Sequence, residues 1–161
     1  MSGPSQFILG EYRRTLDDRY RLTIPAQLSE PLTAPSPECI LAKERPGCLS
    51  LWNAADWKAR WEGGVELIRQ KMQLGRLEGQ IAQVQRLGRL LSSRHTSVQL
   101  AQRSRLLVPE GFREFLKVEP NGEVMVVGAA VCVEIWNPVE WLTHLESQMP
   151  KFGRLFNRLV R

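Results

Sequence analysis

Residues 16–28 read LDDRYRLTIPAQL, and residues 100–112 read LAQRSRLLVPEGF. In both stretches an arginine leads into a short apolar run that ends in a proline, and the second stretch begins 84 positions after the first. The aspartate at position 17 of the first stretch is replaced by Ala101 in the second. A phrase that occurs twice is typical of an internal repeat, and the difference at this position suggests that the two copies have separate roles.

The repeat continues well beyond these two stretches. At the offset of 84 a series of identical residues falls in register: Leu16/Leu100, Arg19/Arg103, Arg21/Arg105, Leu22/Leu106, Pro25/Pro109, Cys48/Cys132, Trp52/Trp136, Asn53/Asn137 and Trp57/Trp141. The chain has five tryptophans, so two tryptophan pairs in one register indicate a duplicated domain. A copy of about 45 residues is too short to bury a good core alone. We therefore expect the two copies to share one β-core about a pseudo-twofold axis.

Each copy predicts the same order of elements. A strand that runs into the proline is followed by a short helical turn and then by a β-hairpin, at residues 39–52 and 123–136. Asn53 and Asn137 are good N-cap residues, so a helix should follow each hairpin. Pro138 suits the first position of the second of these helices. The paired cysteines and tryptophans are predicted to be core groups, and a metal or cofactor role is the weaker alternative.

The segments between and after the copies have a helical pattern. Apolar residues recur at three- and four-residue spacing in residues 54–93, where Gly75 and Gly79 predict two helices or one kinked helix. The last stretch, KFGRLFNRLVR, predicts a basic amphipathic helix. Such a helix can lie on a membrane, but docking on its own domain or on a neighbouring subunit is the favoured interpretation. The expected division is a first domain at 10–58, a helical linker at 59–93, a second domain at 94–142 and a C-terminal helix at 143–161.

Composition excludes several classes of protein. The chain of 161 residues has three cysteines and two histidines, with no CxxC pair, so neither a disulfide framework nor a zinc site is expected. No apolar run is long enough for a transmembrane helix, and the N-terminus lacks the pattern of a secretory signal. Hydrolase, metalloprotease, Walker and Rossmann motifs are also missing from the sequence. We therefore expect a reduced, cytoplasmic protein that is not an enzyme, with no cofactor, metal, small-molecule substrate or membrane partner.

The net charge of +5 is distributed unevenly. Residues 69–105 carry eight basic residues and one acid, residues 147–161 carry four basic residues and no acid, and residues 106–146 have a net charge of −5. Positive charge that is concentrated in this way favours a polyanion as partner. A solvated, arginine-rich helix face is the alternative interpretation.

Four arginines fall within nine residues at the start of the first copy: Arg13, Arg14, Arg19 and Arg21. In an extended chain Arg19 and Arg21 would lie on one side about 7 Å apart, close to the spacing of successive phosphates on a DNA strand. They are candidates for contacts with phosphates or with a base edge, and Arg103 and Arg105 could reach phosphate from the second copy. Since phosphate repels Asp17, its expected role is to hold an arginine, either Arg21 or one from the other copy. A salt bridge that merely pins the turn is the alternative.

The phrase GEYRRTLDDRYRLTIPAQL, from Gly10 to Leu28, resembles the N-terminal signature of the MraZ family, bacterial transcriptional regulators built from two AbrB/SpoVT-like domains. The resemblance continues through the hairpins, the linker with its Val84-Gln85-Arg86, the second half-motif at Arg105 and the strand EVMVVG at 123–128. It implies an α+β fold. In this fold a duplicated AbrB/SpoVT-like swapped-hairpin β-barrel forms a pseudo-dimer within one chain, with a helical linker and peripheral helices.

The resemblance also implies a function. A member of this family would bind double-stranded DNA at short direct repeats upstream of the division and cell-wall gene cluster, including its own promoter. It would do so as a ring-shaped homo-oligomer associated with the nucleoid, and the D-x-x-x-R motif of Asp17 and Arg21 would supply the key arginine. The alternative is a protein-interaction or antitoxin-like module, or a regulator of an enzyme encoded by a neighbouring gene, with only non-specific affinity for DNA.

The chain departs from the family pattern in both motifs. Family members usually have Lys-Gly between the aspartate and the arginine of the first motif, where this chain has Arg19-Tyr20. The loss of glycine matters if this position needs a positive φ. In the second motif Ala101 and Ser104 replace the aspartate and the glycine. We therefore expect the loop of the second copy to contribute less than the loop of the first.

Overall fold

The computed structural model describes residues 7–34 and 36–161, and in it the two copies have matching elements. The first copy contains β1 (Ile8–Thr15), β2 (Arg21–Thr23), α1 (Ala26–Ser29), β3 (Glu38–Arg45), β4 (Cys48–Asn53) and α2 (Ala54–Gln73). After α3 (Ile81–Arg94), the second copy contains β5 (His95–Gln99), β6 (Arg105–Leu107), α4 (Glu110–Leu116), β7 (Glu123–Ala130), β8 (Val133–Trp136) and α5 (Pro138–Gln148), and α6 (Phe152–Val160) follows. Short 3₁₀ turns lie at Glu78–Gln80, Gln102–Ser104 and Met149–Lys151. The predicted hairpins and the helices after them are confirmed.

The two copies are interleaved in one antiparallel sheet. Its six strands have the order β1-β7-β8-β4-β3-β5, and a separate two-stranded ribbon pairs β2 with β6. Strand β1 of the first copy pairs with β7 of the second, while β5 of the second copy pairs with β3 of the first. Each copy therefore completes the hairpin of the other copy. The expected α+β fold, in which two copies exchange elements within one chain, is confirmed.

The main core lies between the six-stranded sheet and the ribbon. Leu22 and Leu106 stand opposite each other in the ribbon, and both are fully buried. They belong to one cluster with inward-facing sheet residues of both copies, such as Leu41 and Val126. Because neither copy supplies both walls of this core, neither could bury it alone.

The opposite face of the sheet is covered by the first turns of α2 and α5. The side chain of Asn53 accepts hydrogen bonds from the N–H groups of Ala55 and Asp56 at 2.9 and 3.2 Å, and Asn137 caps α5 in the same way. Trp52 and Trp136 are buried on this face, as are Cys48 and Cys132. Burial raises the pKa of both thiols, which fits their expected place in the core.

Two strands were not indicated by the sequence pattern. Strand β5 has the polar sequence HTSVQ at an edge of the sheet, so it carries little of the alternation that marks a strand. Strand β1 pairs with β7 along its whole length, with Gly10 opposite Gly128, and a Cβ on Gly128 would lie 2.7 Å from the backbone oxygen of Ile8. Both strands are specified by a partner in the other copy rather than by their own sequence.

The linker forms two helices, as predicted. Helix α2 ends before Gly75, whose φ of +70° is left-handed, and α3 begins at Ile81. None of the helices in residues 7–34 and 36–161 is long and apolar enough to cross a membrane. The division of the chain at residues 58, 93 and 142 stays a prediction.

The C-terminal helix α6 forms, but its apolar face is uncovered. Its large apolar side chains are between 50% and 75% exposed: Phe152, Leu155, Phe156 and Leu159. Docking of α6 on its own domain, one of the two favoured alternatives, is therefore wrong. Docking on a neighbouring subunit stays a prediction.

Candidate nucleic-acid interface

The ribbon of β2 and β6 presents a pair of arginines on its outer face. In the ribbon Arg21 lies opposite Leu107, and Arg105 lies opposite Thr23. Because side chains alternate along a strand, the buried leucines at the centre of the ribbon place both arginines on the side away from the core. Diagonal neighbours of this kind have backbones about 7–8 Å apart. The two arginines are thus related by the pseudo-twofold symmetry of the ribbon.

An open depression of about 500 Å³ lies over this face of the ribbon. Its lining combines four arginines, two threonines and one aspartate: Arg14, Arg21, Arg103, Arg105, Thr15, Thr23 and Asp17. Four guanidinium groups and one carboxylate give the depression a net charge of +3. The structure therefore brings together five of the seven residues that the sequence nominated, and it takes them from both copies. We call this surface the arginine face.

Asp17 holds its own Arg21. Its Oδ1 atom accepts hydrogen bonds from the backbone N–H groups of Arg19 and Arg21, both at 2.8 Å, and its Oδ2 atom accepts one from Nε of Arg21 at 2.7 Å. These bonds, the N–H of Arg21 first among them, lower the pKa of the Asp17 carboxyl to about 2. Of the two arginines considered for Asp17, the structure selects Arg21. The same carboxylate also fixes the turn.

Tyr20 has a left-handed backbone conformation, which glycine adopts most readily. Its φ is +61°, and its N–H donates to the carbonyl of Asp17 at 3.2 Å. A non-glycine residue in this conformation costs about 1–2 kcal/mol. Packing offsets this cost, because the Tyr20 ring contacts the main core and lies 4.5 Å beneath the guanidinium of Arg113. The turn therefore forms without glycine.

The expected side-by-side arrangement of Arg19 and Arg21 is wrong. Residues 17–20 form a turn, so the spacing of an extended strand does not apply to them. Arg19 is exposed on this turn and does not line the depression. Arg13 is also outside the arginine face. It lies on the opposite side of β1 from Arg14, where its Nη1 atom is 3.2 Å from Glu123.

The loop of the second copy keeps the backbone hydrogen bond of the first, but it lacks the contact between the Asp17 carboxylate and the Arg21 side chain, which we call the clamp. Ala101 donates its N–H to the carbonyl of Arg105 at 2.9 Å, as Asp17 does to Arg21 at 3.0 Å. Ser104 is left-handed with a φ of +57°, as its counterpart Tyr20 is, and in this copy Arg103 is left-handed as well, with a φ of +62°. Within the described residues the side chain of Arg105 makes no ion pair. The two loops are thus unequal, as expected.

Sequence reasoning missed the two threonines. Thr23 follows Arg21 by two positions on a strand, so the two-residue period could have placed it beside the arginine. Thr15 ends β1, a strand that the pattern did not indicate. Both hydroxyls are in a position to donate hydrogen bonds to an anion on the arginine face.

The two histidines of the chain lie outside the arginine face. His95 packs on Trp57 with ring centroids 5.0 Å apart, and His144 packs on Trp136 at 4.8 Å. In the part of the chain that the structure describes, no three His, Cys, Asp or Glu side chains are grouped closely enough to hold a metal ion.

Comparison with known proteins adds family membership to this geometry. A family model described as "MraZ protein, putative antitoxin-like" matches residues 92–159. The chain is 31% identical over 139 residues to "Transcriptional regulator MraZ" of Roseiflexus castenholzii, with 86% of this chain and 87% of the relative covered. The chain belongs to the MraZ family. MraZ regulators of Moorella thermoacetica and Thermus thermophilus are similar to it at 27% and 28% identity, over 94% and 88% of this chain and 96% and 90% of the relatives.

Proposed function

We propose that this member of the MraZ family is a sequence-specific, DNA-binding regulator of transcription, and that its arginine face docks on double-stranded DNA. The observation that carries the proposal is the convergence of four arginines from both copies on one depression over the exposed ribbon. A two-stranded β-ribbon fits the major groove, where arginine is the usual partner of guanine. The names of the relatives as transcriptional regulators support the same function.

Within this site we assign different roles to the arginines. Arg21 is held at two points, through its backbone N–H and its Nε, by one carboxylate. A side chain that is already oriented loses less conformational entropy on binding and suits a base edge. Arg103 and Arg105 lack such a clamp, and we assign them with Arg14 to the phosphates, which tolerate variable geometry.

The proposed target is a set of direct repeats upstream of the division and cell-wall gene cluster, including the promoter of the protein itself. A ring of subunits would present the same arginine face several times. Neighbouring subunits would then bind neighbouring repeats, and weak single contacts would add through avidity. This part of the proposal rests on the family resemblance, and it places the protein at the nucleoid in the cytoplasm.

Fluorescence anisotropy tests the proposal with a labelled duplex that carries the repeats upstream of the gene of this protein and with a scrambled duplex. Three phosphate contacts per subunit, from Arg14, Arg103 and Arg105, would give a slope of log K against log salt of about −2.7. If Arg21 reads a base, Arg21→Ala should weaken operator binding by about 5- to 150-fold, which corresponds to about 1–3 kcal/mol. Arg13→Ala is the matched control, because it removes the same charge from the opposite side of β1.

Two results would contradict the proposal. One is equal, weak binding to both duplexes that Arg21→Ala leaves unchanged. The other is an equal loss in the Arg13→Ala and Arg21→Ala proteins, since a purely general charge effect does not depend on the arginine face. The expected result is a steep dependence on salt and a preference for the repeats that disappears in the Arg21→Ala protein but not in the Arg13→Ala protein.

A protein-interaction role is the second candidate function. It is favoured by the uncovered apolar face of α6 and by the antitoxin-like description of the family model. Ionic strength separates the two functions. Binding through arginines weakens steeply as salt is added, whereas an apolar protein interface does not.

A further inference from the structure

Helix α6 carries an apolar stripe with no partner in the chain. Phe152, Leu155, Phe156 and Leu159 recur at three- and four-residue spacing, so they lie on one side of the helix. Helical geometry places Arg154 and the other basic residues of this helix on the opposite side. The four apolar side chains are at least half exposed and present roughly 400 Å² of apolar surface, an area that marks an interaction site. We call this surface the α6 stripe.

An unfilled apolar cleft lies on another part of the molecule, between α2 and the end of α3. Its volume is about 640 Å³. Trp57, Trp61 and Val65 line it at four-residue spacing along α2, Leu91 lines it from α3, and Ile40 of β3 forms its floor. We call this the α2–α3 cleft.

The charges in the lining of the cleft are largely balanced. Arg69 pairs with Glu66 at 2.7 Å, and Arg94 lies 3.5 Å from Glu44. One lysine and one glutamate of the lining remain, and their charges cancel. A nearly neutral cleft with a tryptophan wall selects an apolar occupant rather than an ionic one.

The α6 stripe does not fill the cleft of its own chain. Helix α5, which leads to α6, packs on β7, whereas the cleft lies over β3. Strands β7 and β3 are separated by β8 and β4 in the sheet, which corresponds to about 14 Å. The cleft lining contains no residue of α6. One chain thus presents a free apolar stripe towards one edge of its sheet and a free apolar cleft towards the other.

We propose that the α6 stripe of one copy docks in the α2–α3 cleft of a second copy, head to tail. Such a contact uses two different surfaces, so each added copy leaves one stripe and one cleft free until a ring closes. The inference rests on the assembly that the proposed function includes, and it names the surfaces that make this assembly. It does not depend on DNA binding.

The buried area fits an interface between copies. A matching area on the cleft brings the total to roughly 800 Å², which is below the usual size of a stable single interface. A single contact would therefore be weak, and closure of a ring would stabilise it by avidity. A second copy is favoured over a lipid surface because the chain itself carries a concave apolar site, which a lipid-bound helix would leave empty.

Two single substitutions in the full chain test the contact. Phe156→Glu places a charge in the stripe, and Val65→Arg places one in the cleft. Leu67→Arg is the matched control, because Leu67 is 53% exposed on α2 but does not line the cleft. Light scattering after size exclusion gives the mass of each protein, and circular dichroism verifies that each one is folded.

The expected result is specific to a head-to-tail contact. The wild-type and Leu67→Arg proteins should have the mass of several chains, and the Phe156→Glu and Val65→Arg proteins should each have the mass of one. A one-to-one mixture of the two defective proteins, raised to a concentration that populates a single weak contact, should reach the mass of two chains. The reason is that one of them keeps an intact cleft and the other keeps an intact stripe.

Several outcomes would overturn the inference. These are a monomeric wild-type protein, a wild-type mass for either Phe156→Glu or Val65→Arg, and a mixture whose mass stays at one chain however far its concentration is raised. Flotation with vesicles that contain phosphatidylglycerol tests the alternative, in which the α6 stripe binds a lipid surface. Binding of a monomeric wild-type protein to such vesicles, lost in Phe156→Glu, would assign the stripe to a lipid surface instead.

Failure of this inference can be distinguished from failure of the proposed function. The monomeric Phe156→Glu protein should still bind a single repeat through Arg21, more weakly than the assembled wild type binds several repeats. A wild-type protein that assembles as expected but does not prefer the operator would refute the DNA-binding proposal and leave the head-to-tail contact standing.

Discussion

Substitution of Asp17 separates two effects that act in opposite directions on DNA binding. Asp17 contributes a negative charge to a surface that is proposed to meet phosphates, so simple repulsion predicts that its removal strengthens binding to every duplex. Asp17 also holds Nε of Arg21 at 2.7 Å. If this contact orients Arg21 for a base edge, its removal weakens binding to the operator alone.

The expected magnitude follows from the freedom that Arg21 gains. An arginine side chain has roughly 2 kcal/mol of rotamer entropy, and the contact at Nε restricts most of it before DNA arrives. Without the contact, about 1.4 kcal/mol would have to be supplied on binding, which is a tenfold loss of affinity. Asp17→Ala should therefore bind the operator about tenfold more weakly. It should bind a scrambled duplex as well as the wild type does, or better.

Asp17→Asn distinguishes the clamp from the turn. The Asn side chain keeps an oxygen for the backbone N–H groups of Arg19 and Arg21, but it has no charge to hold the guanidinium. Both Asp17 variants should therefore lose operator preference in an anisotropy titration with operator and scrambled duplexes. The reasoning is refuted if Asp17→Ala strengthens binding to both duplexes equally, or if Asp17→Asn keeps the wild-type preference.

The low pKa of Asp17 predicts how the clamp responds to pH. A carboxyl with a pKa of about 2 in the folded state contributes stability that is present above its usual value of 3.8 and is lost as the pH falls towards 2. Operator preference should therefore be constant from neutral to mildly acidic pH. A preference that declines well above the usual carboxyl range would show that another group controls it.

Three further predictions concern stability, each measured by urea unfolding. Gly128→Ala should destabilise the fold by about 1–3 kcal/mol, because its Cβ would lie 2.7 Å from the backbone of β1. Gly63→Ala, in the open middle of α2, should instead stabilise the fold by about 0.5–1 kcal/mol, and equal effects of the two substitutions would refute the close approach of β1 and β7. Burial raises the pKa of Glu134, so the fold favours its neutral form. The stability of the wild type should therefore fall relative to that of Glu134→Gln as the pH rises above the usual carboxyl range, and a stability difference that does not depend on pH would contradict this. Asn53→Ala should lower the free energy of unfolding by about 1 kcal/mol more than Asn137→Ala, because the Asn53 amide donates hydrogen bonds to two carbonyls and the Asn137 amide to one. The opposite order of the two effects would refute this explanation.

The parts of the fold that the sequence predicted are those with local causes. The N-caps at Asn53 and Asn137 and the break at Gly75 depend on residues within a few positions along the chain. The hairpins were equally clear because their strands are adjacent in sequence. Strand β5, by contrast, could not be predicted, since its polar sequence becomes a strand only through pairing with β3 of the other copy.

The candidate site shows the same limit. The sequence nominated Arg21 and Asp17 and explained why a carboxylate would accompany an arginine. It placed Arg19 beside Arg21 because it could not reveal the left-handed conformation of Tyr20 that makes the turn. It also included Arg13, whose direction is set by the pairing of β1 with β7.

By itself the sequence determined that this protein is a duplicated α+β chain of the MraZ family with unequal copies. The register of the repeat, and the presence of Ala101 in the second copy where the first has Asp17, can be read directly from the sequence. Only the tertiary structure decided which arginines share a surface. Arg105 follows Arg14 and Arg21 by more than 80 positions in the sequence, and the three meet because the ribbon pairs β2 of the first copy with β6 of the second. The physical reason is that neither copy can bury a core alone, so each completes the other and their charged loops are brought to one face.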